Sequence, residues 1–564
     1  MPANLRVVLW MCPVLAAAAA GSCDDGIVDT SVASGAATSG GTGGGGASTG
    51  SQGTGGTIFT SSSGNQGPFA DFPPDPVIDT SAPPNAPTLF GDPGSGDPSG
   101  GPCLVEPEVG ALFPRNWLRP RFRFLPAPGQ NLFEIRLHAE NQTHDLVVYT
   151  GSATWTMPDA MWSLLASHTL DAPITMTVRG AVFDGTTLTG GPSLGSSGDF
   201  TIAPADAAGT IVYWTTSGGS SLKGFTVGDE SVITALTPPQ VDMPTANNTA
   251  VTCIGCHSST PDGKFVGFTG QGPWGNAVAS IEEATVGDAP PFMGPGGLAA
   301  FASLSPVGIS SFSKAHWTAG DRIMVSVLGD FDASELLWVD LEAQGAGQGS
   351  AYGFFARDGD SRGVGAPTWS HDGETIVYVS TDAQLTGRLD QGQADLYAVP
   401  YNNKAGGAAA PIEGAADPAL SEYYPSLSSD DQWLTFNRCP SDATMYNQAL
   451  AEVFVMPSSG GTPLRISAND PPACVNKASP GITNSWPKWS PEAVTVNGKT
   501  YYWLIFSSTR AEGGNPQLYV TGVVVEGDAV STYASLYLWN QPPDESNHTP
   551  AWDVFQLPPV PPPE

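Results

Sequence analysis

Two cysteines and a histidine stand close enough together in this sequence to act as one chemical unit. Cys253 and Cys256 are separated by two residues, and His257 follows directly. A C-x-x-C-H pentapeptide is the attachment motif of c-type haem, in which two thiols form thioethers and the imidazole binds iron. With this cysteine and histidine content, chance would produce the pentapeptide about 0.001 times. The motif therefore predicts covalently bound haem c.

The same three residues have other interpretations. In an oxidising compartment, Cys253 and Cys256 could form a local disulfide. Zinc binding together with His257 is disfavoured, because no second cysteine pair follows at a suitable spacing. The three side chains could also simply line a junction between repeats.

Three residues are candidates for a sixth ligand of the haem iron. Met293 lies in a Gly/Pro-rich loop, and His316 and His548 are expected near the motif in neighbouring repeats. A haem held by His257 alone stays open, as does a loop or channel-lining role for each candidate. Elsewhere, Cys439 and Cys474 lie in two loops of one repeat and could form a disulfide or remain free thiols.

The N-terminal residues predict export. Arg6 precedes an apolar run over residues 7–21, which is too short for a transmembrane helix and typical of a signal peptide, here residues 1–22. The segment Ala20-Gly21-Ser22-Cys23 resembles a bacterial lipobox, so Cys23 is the expected site of lipidation. An ordinary signal cleaved nearby is the alternative. We expect an envelope protein, at the outer membrane, periplasm or cell surface, held by its lipid anchor only.

Composition limits what the rest of the chain can be. Residues 23–100 are rich in Gly, Ser, Thr and Pro, which predicts a disordered stalk. The whole chain has 21 Lys and Arg against 54 Asp and Glu, a net charge of −33. That charge argues against nucleic acid as a partner. Abundant Gly, Pro and aromatic residues, with few amphipathic helical patterns, predict an all-β protein.

Residues 101–207 predict a small β domain. About seven segments alternate apolar and polar residues, as in a sandwich similar to fibronectin type III or immunoglobulin-like modules. One short helix is expected from Pro158. His138, His144 and His168 are expected at the surface or in turns.

Residues 208–564 contain a degenerate repeat. It reads Pro-x-Trp, then Ser-x-Asp-Gly, then an apolar strand, as in Pro367-Thr368-Trp369-Ser370-His371-Asp372-Gly373. Its copies recur at roughly 50–60 residues, the content of one four-stranded propeller blade. The positions equivalent to the tryptophan are Ser259, Trp317, Trp369, Leu427, Trp489 and Trp552.

A second signature recurs on a later strand of several copies, as Asp395-Leu396-Tyr397, Glu452-Val453-Phe454 and Gln517-Leu518-Tyr519. Together these repeats resemble the WD40-like (PD40) repeats of the TolB propeller family. The resemblance implies a six-bladed β-propeller. Its closing blade is expected to combine strands from residues 210–236 with a final strand near 553–557, which removes an exposed sheet edge.

Two function classes follow. The first is an envelope-anchored c-type haem protein with haem at the mouth of the propeller channel, serving electron transfer with a redox partner. The second is a non-enzymatic TolB-like scaffold that binds protein or envelope partners, with Cys253 and Cys256 as a disulfide. A hydrolase is disfavoured, because no segment remains to form a hydrolase domain.

Overall fold

The computed structural model describes residues 71–217, 219–243, 250–271, 274–304, 306–329, 334–383, 389, 392–441 and 443–558. The predicted signal peptide, Cys23 and the stalk up to residue 70 lie outside these ranges. Strands are the predominant regular structure of the described chain and helices are few and short, so the all-β prediction is confirmed. It forms two compact units, and none of its described helices is long and apolar enough to cross a membrane.

The N-terminal unit has its described residues in 71–115 and 119–204. Its strands are β1 Val77–Ile78, β2 Cys103–Glu106, β3 Leu112–Phe113, β4 Arg121–Leu125, β5 Leu132–Ala139, β6 Leu146–Thr150, β7 Thr154–Thr156, β8 Pro173–Phe183 and β9 Leu188–Ile202. Its helices are α1 Ala86–Phe90 and α2 Asp159–His168. One sheet has the order β1-β6-β5-β8-β9-β3, and the other has the order β2-β4-β7.

Alternation along β4 explains how the two sheets meet. Phe122 and Phe124 are buried, while the arginines between and before them are half-buried. The Phe124 ring lies 4.7 Å from that of Phe133 on the other sheet. Helix α2 begins after Pro158, as predicted, and buries Trp162 and Leu165.

The prediction that the stalk reaches residue 100 is wrong. Strand β1 and helix α1 lie within that segment, and α1 packs Ala86 and Phe90 against the larger sheet. The guanidinium of Arg179 donates to the carbonyls of Asp92, at 3.0 Å, and Ser95, at 2.8 Å. Side chains far along the chain therefore order a Pro- and Gly-rich segment that its own composition would leave unfolded.

The second unit has its described residues in 116–118 and from 205 onward. Its strands up to residue 411 are β10 Thr210–Thr215, β11 Ser221–Thr226, β12 Ile233–Leu236, β13 His257–Ser259, β14 Phe265–Gln271, β15 Trp274–Ser280, β16 Pro306–Ser311, β17 Ile323–Leu328, β18 Glu335–Asp340, β19 Tyr352–Phe354, β20 Ala356–Asp358, β21 Gly363–Trp369, β22 Thr375–Thr381, β23 Ala394–Pro400, β24 Gly406–Ala408 and β25 Ala410–Pro411. Two α-helices interrupt them, α3 Pro295–Leu304 and α4 Lys314–Ala319.

The remaining strands of this unit are β26 Leu420–Leu427, β27 Trp433–Pro440, β28 Glu452–Pro457, β29 Leu464–Arg465, β30 Asn484–Trp489, β31 Val494–Val496, β32 Lys499–Ser508, β33 Gln517–Glu526, β34 Ala529–Thr532, β35 Leu536–Tyr537 and β36 Asn547–Asp553. The sheet orders are β12-β11-β10-β36, β13 through β19 in sequence, β20-β24, β21-β22-β23-β25, β26-β27-β28-β29 and β30-β32-β33-β34, with β31 on β32 and β35 on β33.

Six strands, here called the inner strands, contact one another in a closed cycle. They are β13, β16, β21, β26, β30 and β36, and each contacts the next in this order, with β36 contacting β13. Strand β36 also pairs antiparallel with β10, so both ends of the unit share one sheet, as predicted. The predicted position of that last strand, near 553–557, is wrong: the strand is Asn547–Asp553 and contains the Trp552 of the repeat.

In one copy of the repeat, the predicted tryptophan position is wrong. Trp317 lies in helix α4, not in an inner strand. The inner strand of that copy is β16, and its last residue, Ser311, takes the position of the tryptophan. The backbone N–H of Trp369 donates to the Ser311 hydroxyl at 2.8 Å, which aligns the two neighbouring copies.

Five inner strands carry a β-bulge at the same position, three residues before the tryptophan position. The residue there has a positive φ, and the pairing register shifts beside it. These bulge residues are Gly308 (82°), Ala366 (37°), Tyr424 (52°), Trp486 (58°) and Thr549 (42°). A bulge changes the direction of the side chain at its position. The repeated bulge therefore interrupts the alternation of side chains between the two faces at the same point of these inner strands.

Candidate functional site

The two cysteines of the C-x-x-C-H motif precede β13, and their side chains pack into different apolar clusters. Cys253 lies with Leu222 and Phe268. Cys256 occupies the position equivalent to the bulge residues and packs with Ala366, Tyr424 and Trp486. Burial raises the pKa of the Cys256 thiol to about 12, so this sulfur is a neutral thiol.

His257 is buried between two backbone carbonyl groups. Its Nε2 lies 3.2 Å from the Val212 carbonyl oxygen, and its Nδ1 lies 3.2 Å from that of Gly255. Burial lowers the pKa of His257 to about 4, so the ring is neutral and can donate to one carbonyl at a time. Val212 belongs to β10, where the pairing with β36 is irregular. The imidazole thus links the first inner strand to the sheet that closes the cycle.

These residues, in this arrangement, do not fit a haem c. Thioether attachment needs both sulfur atoms beside one macrocycle and a free imidazole nitrogen toward iron. Here the sulfur atoms enter separate clusters, and both imidazole nitrogens face carbonyl oxygens. Cys253 is disulfide-bonded, whereas Cys256 has a free thiol. The alternative Cys253–Cys256 disulfide is therefore not formed either.

Of the three candidates for a sixth ligand, His548 is the one that interacts with His257. Burial, with a contribution from His257, lowers the pKa of His548 to about 3. Its ring lies 4.4 Å from that of Trp214, and neither ring nitrogen has a hydrogen-bond partner within the described residues. His316 instead stacks on Trp369, at 4.7 Å, and its Nδ1 lies 2.8 Å from the Asp321 carboxylate.

The other predicted ligands and bridges have structural surroundings. Met293 is half-buried at the edge of the apolar cluster that holds Cys253. The predicted Cys439–Cys474 disulfide is not formed: Cys439 is a buried free thiol, while Cys474 is disulfide-bonded. Across the ranges that the structure describes, no three His, Cys, Asp or Glu side chains are grouped so as to hold a metal ion.

A pocket lies inside the cycle of inner strands. Its wall includes the residues that stand two positions after the bulge position, here called the lining row: Ser258, Ser310, Thr368, Ser426, Lys488 and Ala551. The bulge-position side chains of Cys256, Ala366, Tyr424 and Trp486 form one apolar cluster, with the Tyr424 and Trp486 rings stacked at 3.6 Å. On each of these strands, the lining-row residue follows two positions after the residue that belongs to this cluster.

Lys488 places a positive charge in the wall of the pocket. This ammonium group is partly buried and makes no hydrogen bond or ion pair within the described part of the chain. Burial lowers the pKa of Lys488 to about 8, although Cys256 and Asp553 act in the opposite direction. Burial raises the pKa of Asp553, the one carboxylate among the lining residues, to about 6.

The sequence reasoning did not single out Lys488 or Asp553. Lysine is usually exposed, and no motif marks Lys488 beyond its place inside Pro487-Lys488-Trp489. The usable signal is comparative: within the lining row, the other copies carry Ser, Thr or Ala at this position. A lone cation in a row of small residues stands out only after the copies are aligned correctly.

No protein family and no curated protein matches this chain. Several solved structures match this chain at low sequence identity. Kuenenia stuttgartiensis hydrazine synthase is 11% identical, over 51% of this chain and 70% of that chain, with a TM-score of 0.28. An ancestral GH74 enzyme is 11% identical over 59% and 39%, with a TM-score of 0.35. A prolyl endopeptidase is 11% identical over 58% and 47%, with a TM-score of 0.26.

We expect His257→Ala to destabilise the second unit by about 2 kcal/mol, because the change leaves the Val212 carbonyl unpaired and creates a cavity. Urea unfolding followed by tryptophan fluorescence measures this. His138→Ala is the matched control, since that side chain is 55% exposed, and it should shift stability by less than about 0.5 kcal/mol. Equal effects from the two variants would contradict the structural role assigned to His257.

Proposed function

We propose that the sheets built on the six inner strands are the blades of a six-bladed β-propeller. Three observations support this. The inner strands contact one another in a closed cycle. Strands from both ends of the unit share the closing sheet. The sequence copies resemble WD40-like repeats of the TolB family, and each blade of such a fold has about four strands.

We further propose that the protein is exported, anchored at Cys23, and acts as a binding protein whose propeller channel takes a small molecule. This keeps the non-enzymatic binding role of the second function class, but the expected protein or envelope partner is replaced by a small molecule bound in the pocket. The observation that carries it is the pocket itself: residues of all six inner strands line it, and it contains a lysine, Lys488, that forms no ion pair with the described residues. Central pockets of this kind suit ligand binding by a rigid scaffold.

The haem protein is the alternative that the first experiment must separate from this proposal. The chain from residue 24, behind a periplasmic leader, is produced together with the c-type maturation machinery. We expect a folded, colourless protein without a haem-dependent gel stain. A covalent haem signal that disappears in Cys253→Ala/Cys256→Ala would overturn the proposal in favour of a redox protein.

Ligand binding is tested on the same protein by thermal unfolding with a panel of neutral, cationic and anionic metabolites. A ligand that binds the native state raises the midpoint of unfolding. Thr368→Trp, which places an indole in the pocket, should abolish that rise. Thr495→Trp, at an exposed strand position, should leave it unchanged. No stabilising compound, or equal shifts in both variants, would count against a small-molecule site in the channel.

A further inference from the structure

We infer that the pocket recognises an oxyanion group, carboxylate or phosphate, of its small-molecule ligand, and that Lys488 is the residue that binds it. This inference rests on the proposed binding function. The first observation is that the charge of the pocket lining differs in sign from the net charge of the chain. The whole chain carries −33, yet the ionisable lining residues are Lys314, Lys488, His257, His371 and Asp553. Cations therefore outnumber carboxylates inside the pocket of an acidic protein.

The position of Lys488 explains why a ligand, rather than the protein, would neutralise it. An ammonium group that is partly removed from water is costly unless it is paired. The carboxylate in the pocket lining, Asp553, affects the Lys488 pKa but forms no ion pair with it. Asp553 instead accepts a hydrogen bond from the backbone N–H of Val554 at 2.8 Å.

Two hydroxyl groups stand level with Lys488. Thr368, Ser426 and Lys488 occupy the same lining row on the consecutive inner strands β21, β26 and β30. Neither the Thr368 nor the Ser426 hydroxyl has a hydrogen-bond partner in the described residues, whereas Ser258 donates to the carbonyl of Ser310. An ammonium beside unsatisfied hydroxyl donors matches an oxyanion, because charge-assisted hydrogen bonds to such groups are the strong ones.

The remaining ionisable groups in and beside the pocket do not supply the missing counterion. His371 is already engaged, with its Nδ1 2.8 Å from the Asp431 carboxylate. Lys314 adds positive charge at an exposed position. His257 and Cys256 are neutral, as described above. The site therefore has a net excess of positive charge whenever Lys488 is protonated.

This arrangement sets a pH dependence. Lys488 loses its proton as the pH rises through about 8, and Asp553 gains a negative charge as the pH rises through about 6. Both changes disfavour an anion. Affinity for an ionised oxyanion is therefore highest below about pH 6 and falls as the pH approaches 9.

The test is calorimetric titration of the full mature chain with acetate, succinate, citrate, inorganic phosphate and sulfate, and with glucose as a neutral probe. We expect at least one oxyanion to bind, and Lys488→Met to weaken it at least tenfold. Lys499→Met, a lysine on β32 outside the pocket lining, should bind as wild type does. If Lys488→Met fails to fold, Lys488→Arg is tested in its place. This variant keeps the charge and should retain binding.

The outcomes separate the inference from the function on which it rests. Carboxylates that bind while phosphate does not, or the reverse, identify the source of the oxyanion. A neutral ligand that binds wild type and Lys488→Met equally would leave the binding function standing and overturn the oxyanion inference. Failure of every compound, in this titration and in the wider thermal panel, would overturn both.

Discussion

A chain that ends at Glu545 is expected to lose the cooperative unfolding transition of its second unit, whereas a chain that ends at Pro558 keeps it. The shorter chain lacks β36, which pairs with β10 along its length and contacts inner strands on both sides. Its loss exposes the edge of β10 and removes the buried side chains of Trp552 and Phe555. Opening the cycle also exposes the apolar surfaces of the strands next to β36 to water. This exposure costs roughly 25 cal/mol of folding free energy for each Å².

Thermal unfolding and limited proteolysis of the two truncated chains measure this effect. The N-terminal unit supplies an internal control, since its protease-resistant fragment should survive in both. The chain ending at Pro558 controls for loss of the Pro-rich tail. A sharp second transition in the Glu545 chain, with wild-type resistance to protease, would mean that the inner strands do not depend on closure of the cycle.

Arg179→Met is expected to destabilise the N-terminal unit by about 3–5 kcal/mol, the usual cost of removing one partner from a buried ion pair. The Arg179 Nε donates to the Glu134 carboxylate at 3.0 Å, and the Tyr149 hydroxyl donates to the same carboxylate at 2.8 Å. Without the guanidinium, the buried Glu134 carboxylate keeps only the Tyr149 hydroxyl and the more distant Arg136, whose Nε lies 3.7 Å from its Oε1. The carbonyls of Asp92 and Ser95 also lose the hydrogen bonds that Arg179 donates to them.

Two readouts follow from that variant. Urea unfolding reports the loss of stability, and new proteolytic cleavage within residues 91–101 reports release of the segment that Arg179 holds. The double variant Arg179→Met/Glu134→Leu removes the unpaired charge and should recover much of the stability, but not the protection of the segment. Recovery of both would show that the carbonyl contacts contribute nothing to ordering residues 91–101.

The inner strands were predictable because their copies share local chemistry. The Ser-x-Asp sequence gives the same turn in two copies: the Ser370 and Ser428 hydroxyls both donate to the aspartate two residues later, at 2.6 Å. The copy at Trp317 was misassigned because its strand, β16, lacks the aromatic residue. Trp317, in helix α4 after that strand, lies at a spacing that fits the repeat. Spacing alone cannot distinguish a strand residue from a helix residue six positions on.

The candidate site was less predictable than the fold. The C-x-x-C-H spacing brings three reactive groups together along the chain, but it does not set the directions of the side chains. At the bulge position the backbone sends Cys256 among the apolar side chains of the inner strands, whereas Cys253 packs into another cluster. Lys488 was missed for the opposite reason: its type suggests solvent exposure, and only the neighbouring strands reveal a pocket around it.

The pairing of β36 with β10 also constrains when the second unit can fold. Thr210 pairs with Asp553, so the closing sheet joins residues near the start of the unit to residues that are synthesised after all the other inner strands. Contacts between such distant residues slow folding, because a long loop must be closed before they form. The sheets in between can assemble from local hairpins as the chain emerges. The native structure is completed only after the C-terminal strand is available, so an interrupted or nicked chain stays open with its unpaired strand edge exposed.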